Sequence, residues 1–307
     1  MTLFYFLIFP GFLTTAVLGL FASWFDRKIT ARVQWRVGPP LLQPFYDFGK
    51  LLSKEITMPE KAERFSFLLA PFFGLLAVTL VSTILGLAIF FPAAGFGGDL
   101  IVVVYLLVIP SLAIILGGFA AGNPLSSVGA SREMKLIIAY ELPFIVAIAV
   151  PVIKAGYSLN LSQIMLFQQA NGAFIGTPSG FIAFLISLLV IQAKLAYIPF
   201  DVPEAETEIM AGPYLEYSGG LLGLFKLTRA MLLFVLPLFL IVLFWSGVSL
   251  SSWHLLAGLL KMVLILLLIV VIKNTNPRLR IDQVLRFFWG RCFLLVIFAV
   301  LLAYLGL

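Results

Sequence analysis

The chain is dominated by apolar runs, about eight of them, each near the roughly 20 residues that a helix needs to cross a bilayer. Of its 307 residues 62% are hydrophobic and 11% are charged, which is more apolar surface than a soluble domain of this size requires. We therefore predict an all-α integral membrane protein that forms a single polytopic domain over residues 1–307. The predicted spanning helices are 3–25, 66–92, 100–121, 134–155, 178–199, 219–245, 253–273 and 287–306.

Charges in the connecting loops predict the orientation. Loop 26–65 is long and basic, and basic residues also occur near 122–135 and 273–291. The opposite connectors, near 93–99, 156–177 and 246–252, contain no Lys or Arg. The positive-inside rule then places the basic loops, and the acidic third cytoplasmic loop 201–218, in the cytoplasm. Both termini are expected on the outer side.

Composition also excludes several kinds of redox site. A single cysteine, Cys292, and a single histidine, His254, cannot build a disulfide, a thiolate cluster site or a bis-histidine haem. If the protein takes part in redox chemistry, the electron carriers belong to partner subunits. The net charge of +6 is explained by the basic loops, so we expect a lipid bilayer and no nucleic acid as a partner.

The stretch Tyr197–Gly220 contains five carboxylates and no Lys or Arg. They are Asp201, Glu204, Glu206, Glu208 and Glu216. Like charges in a poorly hydrated place raise one another's pKa, so we predict that this loop takes up and hands on protons. Two alternatives stay open. In the first, Asp201 is an N-cap and Glu204 belongs to a capping box at the start of a short helix, with Glu208 on the same face. In the second, the loop presents an exposed acidic face to a basic partner.

Charges within the predicted helices are functional candidates because polar groups at membrane depth are unfavourable. Glu141 lies in the fourth helix beside Pro143, and Glu133 lies about two turns earlier. The alternative is a structural ion pair between Glu141 and a lysine of a neighbouring helix, for which Lys261 is the obvious candidate. Lys194 lies at a helix end, where its side chain is expected to reach toward the interface.

Loop 26–65 is too patterned for a simple tether. Lys28, Arg32 and Arg36 recur every four residues, which predicts a helix with one basic face that ends at Gly38–Pro40. A second amphipathic piece is predicted near 44–55, either in the membrane interface or against a soluble partner. A plain positive anchor is the alternative. The candidate partner-docking residues are Arg27, Lys28, Arg32, Arg36, Gln43, Asp47 and Lys50.

Three motifs together resemble the family of complex I subunit 1, also called the H subunit. They are the segments 27–55, with its Arg-x-x-x-Arg-x-Gly-Pro pattern, 130–143, with Tyr-Glu-Leu-Pro, and 199–219, with Pro-Phe-Asp-x-Pro-Glu-Ala-Glu-x-Glu. The resemblance implies a membrane foot beneath a soluble redox arm and a chain of carboxylates leading toward antiporter-like subunits. The candidate proton path comprises Glu133, Glu141, Asp201, Glu204, Glu206, Glu208, Glu216 and Lys261.

One departure from the family pattern concerns the first loop. Quinone-using members usually carry an insert between Gly-Pro and Leu-Leu-Gln, whereas here Pro40 runs directly into Leu41. This loop resembles the ferredoxin-linked, energy-converting [NiFe] hydrogenase branch, which also includes reductases with other electron acceptors. That branch implies partner subunits with [NiFe] and iron–sulfur clusters. The rival interpretations are a quinone-reducing complex I subunit, a stand-alone transporter and a passive anchor.

Overall fold

The computed structural model describes residues 2–248 and 252–307, and within them the secondary structure is helical, with no strand. The side chains of Glu206 and His254 lie outside the described residues. The α-helices are α1 (Thr2–Leu7), α2 (Phe12–Val33), α3 (Gln43–Leu52), α4 (Arg64–Phe90), α5 (Asp99–Leu106), α6 (Ile109–Ala120), α7 (Pro124–Lys154), α8 (Leu161–Asn171), α9 (Pro178–Lys194), α10 (Glu206–Ile209), α11 (Gly219–Phe244), α12 (Ser252–Thr275), α13 (Ile281–Arg286) and α14 (Phe293–Tyr304).

The predicted fold class is confirmed. Among the described residues, seven helical segments are long and apolar enough to span a membrane. The predicted span 178–199 corresponds to α9, which is apolar but has only 17 residues. A turn of π-helix, Phe287–Cys292, joins α13 to α14, so that the last span is continuous.

The first span is interrupted near its N-terminal end, which the loop charges predict to be the outer end. Pro10 lacks a backbone N–H and separates α1 from α2. The hydroxyls of Thr15 and Ser82 donate to the Pro10 carbonyl at 3.2 and 2.9 Å. The two hydroxyls thus supply hydrogen bonds to the Pro10 carbonyl, which lies at the break between α1 and α2.

At its inner end α2 continues to Val33, well beyond the predicted end at residue 25. Lys28 and Arg32 therefore extend the spanning helix itself. Trp35 adopts a left-handed conformation (φ 59°) just after the helix ends, so Arg36 is not helical. The prediction that these three basic residues share one helical face is wrong for Arg36.

The segment 124–133, which the predicted spans 100–121 and 134–155 left in a connector, belongs to a helix. α7 begins at Pro124, and the side chain of Asn123 caps it by accepting the Leu125 N–H at 2.9 Å. Two prolines inside α7, Pro143 and Pro151, do not end it. Glu133 consequently lies on a spanning helix, about two and a half turns from its start.

The acidic loop is mostly irregular. Asp201 and Glu204 precede the short helix α10, so the predicted capping arrangement, and the predicted shared helical face with Glu208, are wrong. Gly129 of α7 packs directly against Pro213 of the acidic loop. A Cβ added at Gly129 would lie 2.6 Å from Pro213. Only a residue without a Cβ permits this close approach.

Helix α11 lies at the centre of the bundle. It packs against α2, α4, α9 and α12, and 83% of its most apolar 18-residue stretch is buried. The amphipathic helix α3 packs on its inner end, where a Cβ at Gly223 would lie 3.4 Å from Leu51. The acidic loop follows α9 and leads into α11, which places it at the inner end of the same bundle.

Candidate proton-conducting site

Three carboxylates of the acidic loop, Asp201, Glu204 and Glu208, are paired with basic residues from other parts of the chain. Asp201 pairs with Arg278 at 2.6 Å, and Glu208 pairs with Arg132 of α7 at 2.6 Å. Opposite charges therefore surround the loop, whereas the sequence, which has no basic residue in this stretch, predicted a cluster of like charges. The cause is tertiary, since each cation comes from a distant part of the chain.

Glu204 pairs with Arg229 of α11. Its Oε1 accepts from Arg229 Nη1 at 2.5 Å. The same guanidinium donates to the carbonyls of Leu195 and Ala196, both at 3.1 Å, and lies over the Tyr197 ring at 4.9 Å. Arg229 thereby ties α11 to the end of α9 and to the acidic loop, a role that its planar set of donors suits.

Glu216 has a neutral partner. Its Oε1 accepts from Asn123 Nδ2 at 2.5 Å, which joins the end of the acidic loop to the start of α7. Arg229 of α11 pairs with Glu204 and not with Glu216. Glu206 stays a prediction, because its side chain lies outside the described residues.

Asp26 belongs to the same site and was missed from the sequence. It is 5% exposed, and its carboxylate pairs with Lys273 Nζ at 2.9 and 3.1 Å. The Tyr197 hydroxyl donates to it at 3.4 Å. Burial raises the pKa of Tyr197 above its ordinary value, so this phenol keeps its proton. One feature of the sequence could have identified Asp26: it is an acidic residue directly after an apolar run and directly before Arg27.

These groups share a cavity of about 350 Å³ at the inner end of the bundle. Its charged lining residues are Asp26, Asp201, Glu204, Arg27, Lys226, Arg229 and Lys273. A polar space of this size holds many waters, because a single water needs only about 10–15 Å³ by the same measure. The ion pairs are therefore in contact with a space that water can fill.

A second, smaller cavity leads deeper. It measures about 20 Å³, enough for about one water. Its polar lining includes Glu204, Arg229, Tyr214, Glu133 and Lys194. Glu133 is 3% exposed. Glu204 lines both the large cavity and this small one, which Glu133 of α7 also lines.

Glu141 is paired with a lysine for which the sequence predicted a different role. Lys194 Nζ lies 2.8 Å from Glu141 Oε2, and its side chain is 2% exposed. The ammonium also lies over the rings of Tyr140 and Phe144, at 4.7 and 4.9 Å. Lys194 does not reach toward the interface as expected; it is buried between α7 and α9.

Lys261 is not the partner of Glu141. Its Nζ donates to the Trp245 carbonyl at 2.6 Å and to the Gly247 carbonyl at 3.4 Å, at the outer end of α11. A lysine at this position neutralises unpaired carbonyls at a helix C-terminus. Within the described residues Lys261 has no acidic partner, and its place in the proton path stays a prediction.

Three of the candidate docking residues contact one another within the chain. Arg27 pairs with Asp47 at 2.7 Å, and Gln43 donates to Asp47 at 2.9 Å. The hydrogen bond from Arg27 holds the pKa of Asp47 below its ordinary value. These contacts attach α3 to α2. Lys50 lies exposed at the other end of α3.

The remaining docking candidates, Lys28, Arg32 and Arg36, lie around the exposed segment at the end of α2. Lys28 donates to the Gly38 carbonyl at 3.4 Å, whereas Arg32 and Arg36 are exposed. Trp35, which the sequence did not mark as a candidate, is 98% exposed between them. An exposed tryptophan flanked by cations is a typical anchor for a protein partner. Among the described residues, no group of three or more His, Cys, Asp or Glu is placed to hold a metal.

Comparison with known proteins identifies the family. The family model for NADH dehydrogenase matches residues 5–304. The H subunit of NADH-quinone oxidoreductase from Syntrophotalea carbinolica is 35% identical over 302 residues, covering 90% of this chain and 87% of that protein. The H 2 subunit of NADH-quinone oxidoreductase from Syntrophobacter fumaroxidans is 36% identical over 298 residues, covering 89% and 87%.

A solved structure shows the same fold. A chain of the membrane-bound sulfane sulfur reductase, an archaeal respiratory membrane complex, matches with a TM-score of 0.84 and 27% identity, over 95% of this chain and 96% of that chain. The resemblance drawn from three motifs is thus confirmed over nearly the whole length. The chain belongs to the NADH dehydrogenase family, which includes the H subunit of NADH-quinone oxidoreductase, and it is a membrane subunit of a complex I-like assembly.

Proposed function

We propose that this chain is the membrane-anchor and proton-conducting subunit of a ferredoxin-linked, energy-converting complex of the [NiFe] hydrogenase type. The observation that carries the proton assignment is the position of Glu204. It lines both the large cavity and the small one, so carboxylates from Asp26 to Glu133 border spaces that water can fill. Proton transfer needs donor and acceptor within hydrogen-bond reach or joined by one water, and water in these spaces would supply that link.

The ion pairs determine how the path would work. A proton that arrives at Glu204 neutralises its carboxylate and removes the attraction to Arg229. A water in the small cavity then relays a proton to Glu133. Lys194, which lines that cavity and pairs with Glu141, connects Glu133 to the outermost carboxylate of the path. The bistable element would be the opening and closing of the Glu204–Arg229 and Glu141–Lys194 pairs, which redox events in a partner would bias.

The shortened first loop supports the hydrogenase branch. The expected partners are [NiFe] large and small subunits, an iron–sulfur subunit and antiporter-like membrane subunits, with ferredoxin as the electron donor. The [NiFe] and iron–sulfur clusters would lie in those partners. Under the same proposal, the complex lies in the plasma membrane of a prokaryote.

A second candidate is favoured by the structural match: the equivalent subunit of a reductase that acts on sulfane sulfur. The names of the most similar relatives favour a third, a quinone-reducing complex. Purified complex supplied with reduced ferredoxin distinguishes these candidates. Hydrogen evolution supports the hydrogenase assignment, whereas reduction of polysulfide or quinone without hydrogen evolution contradicts it.

The proton assignment is tested by Glu204→Gln in sealed membrane vesicles. We expect proton uptake per electron to fall strongly while the complex still assembles, because an amide cannot bind and release the proton. Glu60→Gln is the matched control, since Glu60 is an exposed residue of the first loop without an ion pair in the described chain. Unchanged pumping in Glu204→Gln contradicts the proposed path.

A further inference from the structure

Another cavity, of about 230 Å³, lies between α2, α3 and the start of α11, and it shares Arg27 and Lys226 with the large cavity. Its charged lining residues are Arg27, Asp47, Lys50, Lys54 and Lys226. Apolar residues form the rest of the wall, among them Leu20, Phe48, Leu51 and Leu227. The space is smaller than the roughly 300–1,000 Å³ that a drug-sized ligand occupies, so it suits a compact group.

The charges around this cavity are not balanced. Arg27 is paired with Asp47 at 2.7 Å. Lys50, Lys54 and Lys226 are exposed, and none of them makes an ion pair with a described residue. Three uncompensated ammonium groups thus surround one opening. Clustered like charges repel each other, and an anion placed among them would relieve that repulsion.

The position of the cavity identifies the kind of anion. α3 is an amphipathic helix whose Phe45 packs on Phe21 of α2, with ring centroids 5.2 Å apart. Such a helix lies at the boundary between headgroups and acyl chains. The loop charges assign this boundary to the cytoplasmic leaflet, where basic clusters attract anionic lipids. The cavity therefore offers cations at headgroup level and an apolar wall beneath them.

We propose that this cavity binds the phosphate headgroup of an anionic phospholipid, held by Lys50, Lys54 and Lys226, with the start of its acyl chains against Leu20, Phe48 and Leu227. The bound lipid fills the wedge between α3 and α11 and so fixes α3 in place. The proposal does not depend on proton conduction, although Lys226 also lines the large cavity. A free phosphate ion shares the headgroup chemistry but gains nothing from the apolar wall.

The test uses the whole complex reconstituted in phosphatidylcholine vesicles containing phosphatidylglycerol, with retained lipids counted by native mass spectrometry. The wild type is expected to retain phosphatidylglycerol in preference to phosphatidylcholine. In the triple variant Lys50→Gln, Lys54→Gln, Lys226→Gln that preference is expected to fall at least about tenfold. Replacing the same three residues by arginine keeps the charge and should keep the lipid, which separates loss of binding from misfolding.

The matched control removes the same charge elsewhere on the predicted cytoplasmic side, through Lys61→Gln, Arg64→Gln and Lys135→Gln, all exposed and unpaired in the described chain. It should retain phosphatidylglycerol as the wild type does. Equal loss in the control and the test variant would overturn the proposal. Displacement of the lipid by added inorganic phosphate would show a simple anion site instead. Absence of retained lipid in the wild-type complex would also overturn it, and would indicate that acidic side chains of a partner occupy the cavity.

Discussion

Replacing Glu141 by Gln tests whether the Glu141–Lys194 pair is a proton carrier or only a structural contact. The two charged atoms lie 2.8 Å apart. At an effective dielectric constant of 20, their Coulomb attraction is about 6 kcal/mol. The substitution leaves an ammonium that is 2% exposed without its carboxylate.

The expected loss in stability is smaller than the gross attraction. The rings of Tyr140 and Phe144 still face the ammonium and retain about 0.5–2 kcal/mol of cation–π interaction. Removal of one partner of a buried pair commonly costs about 3–5 kcal/mol, and we expect that range here. Thermal unfolding of the purified complex, together with proton uptake in vesicles, measures both consequences.

The double variant Glu141→Gln, Lys194→Met separates the two roles. It removes both charges, so most of the lost stability should return. If Glu141 carries protons, pumping stays impaired in the double variant although the protein is stable. Recovery of pumping together with stability would refute the reasoning and leave the pair a structural contact.

Two further substitutions test the elements that hold the site. The Arg27 guanidinium lowers the pKa of Asp47, so their pair stabilises α3 above the ordinary pKa of 3.8, and that stability is lost as pH falls through the lower folded value. The free energy that protects α3 amides from hydrogen exchange should therefore fall, by no more than about 1 kcal/mol, as pH drops below 3.8, and Asp47→Asn should lack that change. Gly129→Ala places a Cβ 2.6 Å from Pro213 and should destabilise the acidic loop by about 1–3 kcal/mol. At Gly49 a Cβ meets no atom within 4 Å, so Gly49→Ala should not destabilise, and equal thermal stability of the two variants would contradict the packing argument.

The ion pairs bear directly on the proton hypothesis. Fixed pairs in a dry interior would leave the carboxylates permanently ionised and isolated from one another. The Asp26–Lys273 and Glu204–Arg229 pairs instead line a cavity of about 350 Å³, and Glu204 also lines one of about 20 Å³. Under the proposed function, these pairs set the charge of the resting state and the cavities supply the route along which a proton would alter it.

Much of this architecture could be predicted from the sequence because membrane insertion imposes simple local rules. A long apolar run has to become a helix, since its backbone groups find no partners in hydrocarbon. The spans and the amphipathic α3 followed from that rule and from periodicity. The approximate extent of the acidic loop followed from the two apolar runs that bracket it.

Side-chain pairing was decided only by the tertiary structure. Arg132 reaches Glu208 of the acidic loop across 76 residues, and Lys194 reaches Glu141 across 53 residues. Sequence spacing describes neighbours along one helix, whereas these contacts depend on how helices cross and rotate. For the same reason Asp26 was overlooked: its burial and its bond to Lys273 exist only once α2 and α12 are packed together.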